Sequence, residues 1–194
     1  MSTTTTTTTV PSTLTGTYAI DPSHSRIGFV ARHAMVTKVR GSFNEFEGSG
    51  SFDAEDPTRS QLQVTIQAAS IDTRNADRDG HLRSNDFFAM EQFPEITFAS
   101  TAVEQLDTEH YRVTGDLTIK GVTKPVAVDF EYTGTAVDPY SNVRIGFEGK
   151  TVINRSDWGI SWNGVLEAGG VLVSEKITLE FEVSAIRTGD APSS

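Results

Sequence analysis

Apolar and polar residues alternate with a period of two in one run after another along this chain, and only half-buried strands satisfy that rhythm. Leu62, Val64, Ile66 and Ala68 alternate with Gln61, Gln63, Thr65 and Gln67. Ile27, Phe29, Ala31 and His33 share one face of a strand whose other face carries Arg26, Gly28, Val30 and Arg32. The same beat returns at Tyr111, Val113, Gly115, Leu117 and Ile119, then at Val126, Val128, Phe130 and Tyr132. Val143, Ile145 and Phe147 follow, Ile177, Leu179, Phe181 and Val183 come last, and Ile96 and Phe98 open a further run. Turn signals separate these runs at Asp53 to Pro57, Asp107 to Glu109, Lys120-Gly121, Asp138-Pro139 and Gly169-Gly170. About eight strands joined by short connections make an antiparallel meander, and closing it removes the exposed edges. The expected fold is therefore all-β, an eight-stranded antiparallel barrel.

One segment breaks the beat. Asp72 to Phe98 packs two Arg–Asp clusters, a His, four Phe and a Pro into a single excursion. Long connections of this kind commonly serve as plugs, lids or rims. A helix is expected over Asn75 to Ser84, with Asn75 as its cap and Asp79 four residues before Arg83. A second short turn over Asn85 to Met90 would end before Phe93-Pro94. The helical excursion thus occupies residues 72–93.

The pattern alone leaves the barrel interior open between two states. A strand of nine residues such as Tyr111 to Ile119 spans roughly 30 Å, and at a tilt of about 40° gives a barrel around 23 Å tall. Eight strands lie at the boundary between an interior filled by side chains and one that holds a small ligand. Ala31, Ala68, Gly115 and Gly149 are small residues on expected inward positions, which favours a narrow apolar tunnel over packed layers.

Composition excludes several functions. The net charge is -10, from 16 Lys and Arg against 26 Asp and Glu. This argues against non-specific nucleic-acid binding and disfavours docking on anionic lipid. Cysteine is absent, so there is no disulfide framework, thiol nucleophile or thiolate metal site. His24, His33, His81 and His110 are scattered without metal-ligand spacing, and no metal or other cofactor is expected. His24 and Ser25 are adjacent, so on a strand they point to opposite faces and cannot form a base–nucleophile pair. Gly48-Ser49-Gly50 lacks the following Lys and helix of a phosphate loop. No apolar run approaches the roughly 18 residues of a membrane span, so no integral membrane segment is expected. Thr3 to Thr9 form a threonine tract without the charge and apolar regions of a secretory signal, which points to a cytoplasmic protein. Residues 1–15 read as a disordered Thr-rich tail, 16–187 as the barrel domain and 188–194 as a flexible C-terminus.

Several strings together carry a resemblance. They are Asp21-Pro22-Ser23-His24-Ser25 with Phe29 and His33 following, and Gly41-Ser42-Phe43 leading to Gly48 and Phe52-Asp53. Ser70 to Phe88, Phe93 to Phe98, Gly115 to Val126 and Ile153 to Ile160 complete the set. In this order, over about Tyr18 to Ile186, the chain resembles the YceI family of polyisoprenoid-binding, lipocalin-like proteins. The resemblance implies a lipocalin-like barrel holding a long isoprenoid, or a similar amphiphile such as a polyprenyl phosphate, an isoprenoid quinone or a fatty amide, along its axis. It also implies a homodimer.

Candidate lumen contacts follow from the inward faces. They are Ile27, Phe29, Ala31 and Phe43 on the N-terminal strands, and Val64, Ile66 and Phe98 on the next pair. Val113, Leu117, Val128 and Phe130 continue the wall, and Ile145, Phe147, Leu179 and Phe181 close it. Candidates for a head group at the rims are His33, Arg78, His81, Arg155, Trp158 and Trp162. Arg78 is favoured among them because a guanidinium presents forked donors to a phosphate or a quinone oxygen. The expected function is non-catalytic carriage of a long apolar molecule. The competitors are a lipid-modifying barrel enzyme, for which His33 would have to act, and a ligand-free stress or interaction protein dimerising through the barrel.

Overall fold

The computed structural model describes residues 10–167 and 169–190. Eleven strand segments are joined by turns and one α-helix: β1 (Gly16–Ile20), β2 (Arg26–His33), β3 (Thr37–Phe43), β4 (Phe46–Phe52), β5 (Gln61–Gln67) and β6 (Ile71–Asp72) precede the helix α1 (Ala76–Arg83). After it come β7 (Glu95–Gln105), β8 (His110–Ile119), β9 (Val122–Val137), β10 (Val143–Asn154) and β11 (Lys176–Gly189). All pairings are antiparallel, and the ring β1-β4-β5-β7-β8-β9-β10-β11 closes through β1 and β11. Three kinks account for the extra segments. Pro22–His24 bends β1 into β2, Asn44-Glu45 separates β3 from β4, and Ala68–Ser70 bends β5 into β6. Counted through their kinks, the segments are eight barrel strands, as the alternation predicts.

The kinks matter because they let one strand serve two neighbours. β11 pairs with β1 through residues 185–189 and with β2 through residues 178–182. β6 pairs with β3 and has no second strand partner among the described residues. The chain from Thr73 to Pro94 leaves the sheet at that gap. The end of the barrel carrying α1 is called the helical end below, and the opposite one the far end.

The helix forms where its cap predicts. Asn75 accepts a hydrogen bond from the Arg78 amide at 2.9 Å, with Asp77 and Asp79 in the first turn. The expected Asp79–Arg83 pair is not made. Asp79 is buried and accepts the backbone N–H and the hydroxyl of Thr73, while Arg83 donates to the carbonyls of Ala69 and Ile71. Both side chains fasten the helix to β6 and the bend before it, because backbone carbonyls and amides left bare by the gap need partners.

The N-terminal reading needs correction. Residues 1–9 lie outside the described residues, but Val10 and Leu14 are buried at the far end against Tyr18, Tyr111, Tyr132, Ile145 and Ala185. Ser12–Leu14 form a 3-10 turn, the Tyr18 hydroxyl donates to the Leu14 carbonyl at 2.7 Å, and Arg187 donates to the carbonyls of Thr13 and Thr15. Two apolar side chains with a wall of aromatic rings to meet suffice to order this stretch. Thr188 and Gly189 likewise belong to β11, and residues 191–194 lie outside the described residues.

Polar ties hold the two ends. At the far end Arg144 bridges Asp21, at the β1–β2 kink, and Asp138, in the β9–β10 turn, at 2.7 and 2.8 Å. The Asp21 carboxyl is held well below the usual carboxylate range by the Ser23 hydroxyl, by Arg144 and by His24. Asp138 is lowered to about 2 by Asn142 and Arg144.

Candidate functional site

The inward faces meet only in part: at the far end Phe52 of β4 reaches Tyr111 of β8 and Phe147 of β10 across the barrel, with ring centroids 5.8 and 6.0 Å apart. The faces surround one continuous cavity of about 310 Å³ with an almost wholly apolar wall. That volume lies at the lower end of the roughly 300–1,000 Å³ of ligand pockets. The wall runs from Tyr111, Phe52 and Ala185 at the far end to Trp158, Ile160 and Val173 at the helical end. Ile27, Phe29, Ala31, Phe43, Val64, Ile66 and Phe98 all line it, as do Val113, Leu117, Val128, Phe130, Ile145, Phe147, Leu179 and Phe181. Many of these inward side chains, including Phe29, Phe98, Phe130, Phe147 and Phe181, are only half-buried although they point to the axis. Side chains of a packed core have no such residual exposure.

Glycines keep the space open. A Cβ on Gly41 would sit 2.3 Å from the Phe29 ring, one on Gly115 2.4 Å from the Phe98 ring, and one on Gly149 2.6 Å from the Phe130 ring. In each case a phenylalanine lies flat across the missing side chain of a neighbouring strand instead of standing up into the lumen. Gly115 and Gly149 therefore act less as empty space than as seats for rings.

The rim candidates divide. Arg155 and Trp158 line the helical end of the cavity, yet their polar atoms are spent on the protein. Arg155 is 4% exposed and donates to the carbonyls of Ser174, Ile160, Trp162 and Val173 and to the Glu175 carboxylate. All five guanidinium N–H groups are thus used to hold the segment 160–175 over the barrel, and burial pulls the group's pKa down. The Trp158 indole donates to the Leu117 carbonyl at 3.0 Å and presents its rings to the cavity.

His33, Arg78, His81 and Trp162 do not line the cavity. His33 is exposed at the end of β2, bridged to Val173. The Arg78 guanidinium, expected at a ligand head group, closes on the hydroxyl and carbonyl of Thr73 at 2.7 and 2.8 Å. His81 bonds Asp86 at 2.7 Å and packs edge-on against Phe87 and Trp162, with ring centroids 5.1 and 4.6 Å away. These rings join the helix to the 160–175 segment and make a lid.

Several wall residues escaped the sequence reading. Leu62, Ile119 and Ile177 continue alternations already recognised, so parity alone would have found them. Leu82, Phe87, Phe88 and Ile160 come from the excursion and the lid, where no period reports which way a side chain points. Among the described residues no cluster of His, Asp or Glu could hold a metal ion, and no helix is long and apolar enough to cross a membrane.

Comparison with known proteins places this architecture. The profile of the YceI-like domain matches residues 18–185. A UPF0312 protein of Photorhabdus laumondii is 44% identical over 149 residues, covering 76% of this chain and 77% of that protein. A UPF0312 protein of Staphylococcus epidermidis is 39% identical over 169 residues, covering 87% of this chain and 95% of the other. Among solved structures, BcnA of Burkholderia cenocepacia aligns with a TM-score of 0.75 at 25% identity, over 85% of this chain and 98% of that one. The YCEI protein of Campylobacter jejuni aligns at 0.70 and 33% identity, over 81% and 90%. A polyisoprenoid binding domain from Saccharophagus degradans shares the fold at 0.65 and 17% identity, over 88% and 98%.

Proposed function

The chain belongs to the YceI-like family, and from that premise we propose that it binds and carries a long-chain isoprenoid or similar amphiphilic lipid, such as a polyprenyl phosphate or an isoprenoid quinone, without catalysing its conversion. The observation that carries this reading is the continuous apolar cavity, lined by half-exposed phenylalanines from one end of the barrel to the other. The shared fold of a polyisoprenoid binding domain supports it. Water in such a space is poorly hydrogen-bonded, whereas each buried methylene of a guest contributes roughly 0.8 kcal/mol before ordering costs.

The wall also supports a binding role over a catalytic one. Among the described residues, the only titratable side chains on it are Tyr18, Tyr111 and Arg155. Burial raises both tyrosines further above their usual range, and Arg155 is engaged in the lid, so no group on the wall is poised to exchange a proton near neutrality. His33, the residue an enzyme reading requires, is outside the cavity.

Affinity for prenols of increasing length is expected to rise with each isoprene unit until the lumen is full, then level off. Native mass spectrometry of protein purified from its host should show a retained lipid mass. Flat or absent binding across the length series, with clean apo-protein from the host, would remove the carrier reading. A cytoplasmic homodimer is part of the same proposal, and cell fractionation with light scattering tests it.

A further inference from the structure

Two turns at the helical end expose apolar side chains side by side. Met35 and Val36, in the β2–β3 turn, are 57% and 77% exposed, and Val165 and Val171 are 88% and 37% exposed. Their adjacency is fixed by the backbone. The Ala34 amide donates to the Leu172 carbonyl at 2.8 Å, His33 bridges Val173, the Ser174 amide donates to the Arg32 carbonyl, and Val165 bridges Val171. The two turns therefore form one ribbon that continues β2 beyond the barrel. Its base reaches the cavity, since Ala31 and Val173 both line the wall.

The β2–β3 turn is built against its own preferences. Ala34 and Met35 both have positive φ, 49° and 59°, with the Val36 amide closing onto the His33 carbonyl. That is the mirror-image hairpin turn, where Asn and Gly are at ease and Ala and Met are strained. Neither backbone preference nor burial rewards a methionine at this place.

Charge separates this apolar patch from the other one. Arg32, Lys38 and Arg40 are exposed on the outward face of the hairpin, where the register sets Arg32 opposite Lys38 and Val30 opposite Arg40. Lys176 begins the neighbouring strand β11 on the same face, and none of the four pairs with a carboxylate among the described residues. Of the carboxylates on the packed elements, Glu180 is 3.6 Å from Arg26, Glu182 stands opposite Arg26 in the register, Glu175 is engaged by Arg155, and Glu167 is exposed on the second turn. At the far end the exposed Leu106, Val137 and Tyr140 stand instead among Glu104, Asp107, Glu109 and Asp138.

We propose that the Met35–Val36 turn and the adjoining Val165 turn dock the barrel on an anionic lipid surface, the apolar side chains entering the interface while Arg32, Lys38, Arg40 and Lys176 face the head groups. Apolar side chains beside a basic face are what such a surface holds. Each basic side chain near it strengthens partition about fivefold. Docking here sets the end of the cavity formed by Ala31 and Val173 next to the bilayer. The surface is independent of what fills the lumen, so its test and the cargo test fail separately.

The experiment is vesicle flotation of the full chain with phosphatidylcholine alone and with phosphatidylglycerol added, at low and high salt. Binding is expected only with phosphatidylglycerol and should fall with salt. Lys38→Glu or Arg40→Glu, which each remove an attraction and add a repulsion, should weaken it about 25-fold. Met35→Asp with Val36→Asp should abolish it, and Leu106→Asp at the far end should leave it unchanged. A Val36→Trp variant gives a direct reading, its fluorescence shifting to the blue on phosphatidylglycerol vesicles. No binding by the unaltered chain, equal loss with Leu106→Asp, or a tryptophan that stays solvated on vesicles would overturn the proposal. So would a dimer in solution that Met35→Asp and Val36→Asp dissolve, since the turn would then face a second copy of the chain.

Discussion

Replacing Gly41 by alanine tests whether the seated phenylalanines set the width of the lumen. The new Cβ would lie 2.3 Å from the Phe29 ring, and the three nearest atoms all belong to that ring. Ordinary carbon contacts begin near 3.5 Å, so the ring must retreat by about 1.2 Å. The sheet lies behind Gly41, so the ring moves toward the axis. A displacement of that size takes the room of one or two methylenes of cargo. At roughly 0.8 kcal/mol each, binding of a lumen-filling prenol should weaken by about 0.8–1.6 kcal/mol, or about 4- to 15-fold. Isothermal titration against a prenol at its plateau length measures this, alongside thermal unfolding. Adding Phe29→Leu to Gly41→Ala should restore affinity, because the shorter side chain ends before the new methyl. Wild-type affinity and wild-type Tm in Gly41→Ala would refute the reasoning. A lower Tm with unchanged affinity would refute its functional half, showing that the ring borders no cargo.

Other perturbations address the scaffold. Gly80 lies within α1, and a methyl added there would meet no neighbouring atom within 4 Å, so Gly80→Ala should stabilise the protein by about 0.5–1 kcal/mol in urea denaturation. Arg155→Lys keeps the charge but offers three donors in place of five, and should cost about 2–5 kcal/mol while exposing residues 160–175 to proteolysis; a loss under about 1 kcal/mol would contradict the clamp. Asp21 and Asp138 have folded-state pKa values below the unfolded value of about 3.9. Their contribution is therefore full above about pH 4 and is lost as pH falls, for Asp138 through about 2 and for Asp21 lower still. Arg144→Met should flatten that acid slope in denaturation midpoints between pH 5 and pH 2, leaving the part due to Ser23 and Asn142; an unchanged slope would mean that Arg144 does not govern either carboxyl.

Much of the wall was legible because a strand reports its faces directly: one parity error would turn every inward residue of β8 or β9 outward. What resisted reading depended on partners far away in sequence. The ring of Phe29 lies over Gly41 and that of Phe130 over Gly149 only once the strands are paired, and register is not written in either strand alone. Arg155 read as a rim charge because a guanidinium usually stays wet, yet four carbonyls from a segment without periodicity dry it completely. Val10 and Leu14 gave no pattern beside a threonine tract, and their burial follows from the aromatic wall they meet. Conversely, the overall charge spoke against anionic lipid because a sum has no address. The hairpin arms carry the opposite sign.

The stretch from Val10 to Thr15 has a consequence for anyone handling this protein. It packs two aliphatic side chains against the far end of the wall, and Arg187 and Tyr18 latch it by its carbonyls. Trimming the chain back to the first strand would bare the faces of Tyr111, Ile145 and Ala185 that these two side chains cover, and since the same three residues line the cavity, affinities measured on such a shortened protein would describe a different vessel.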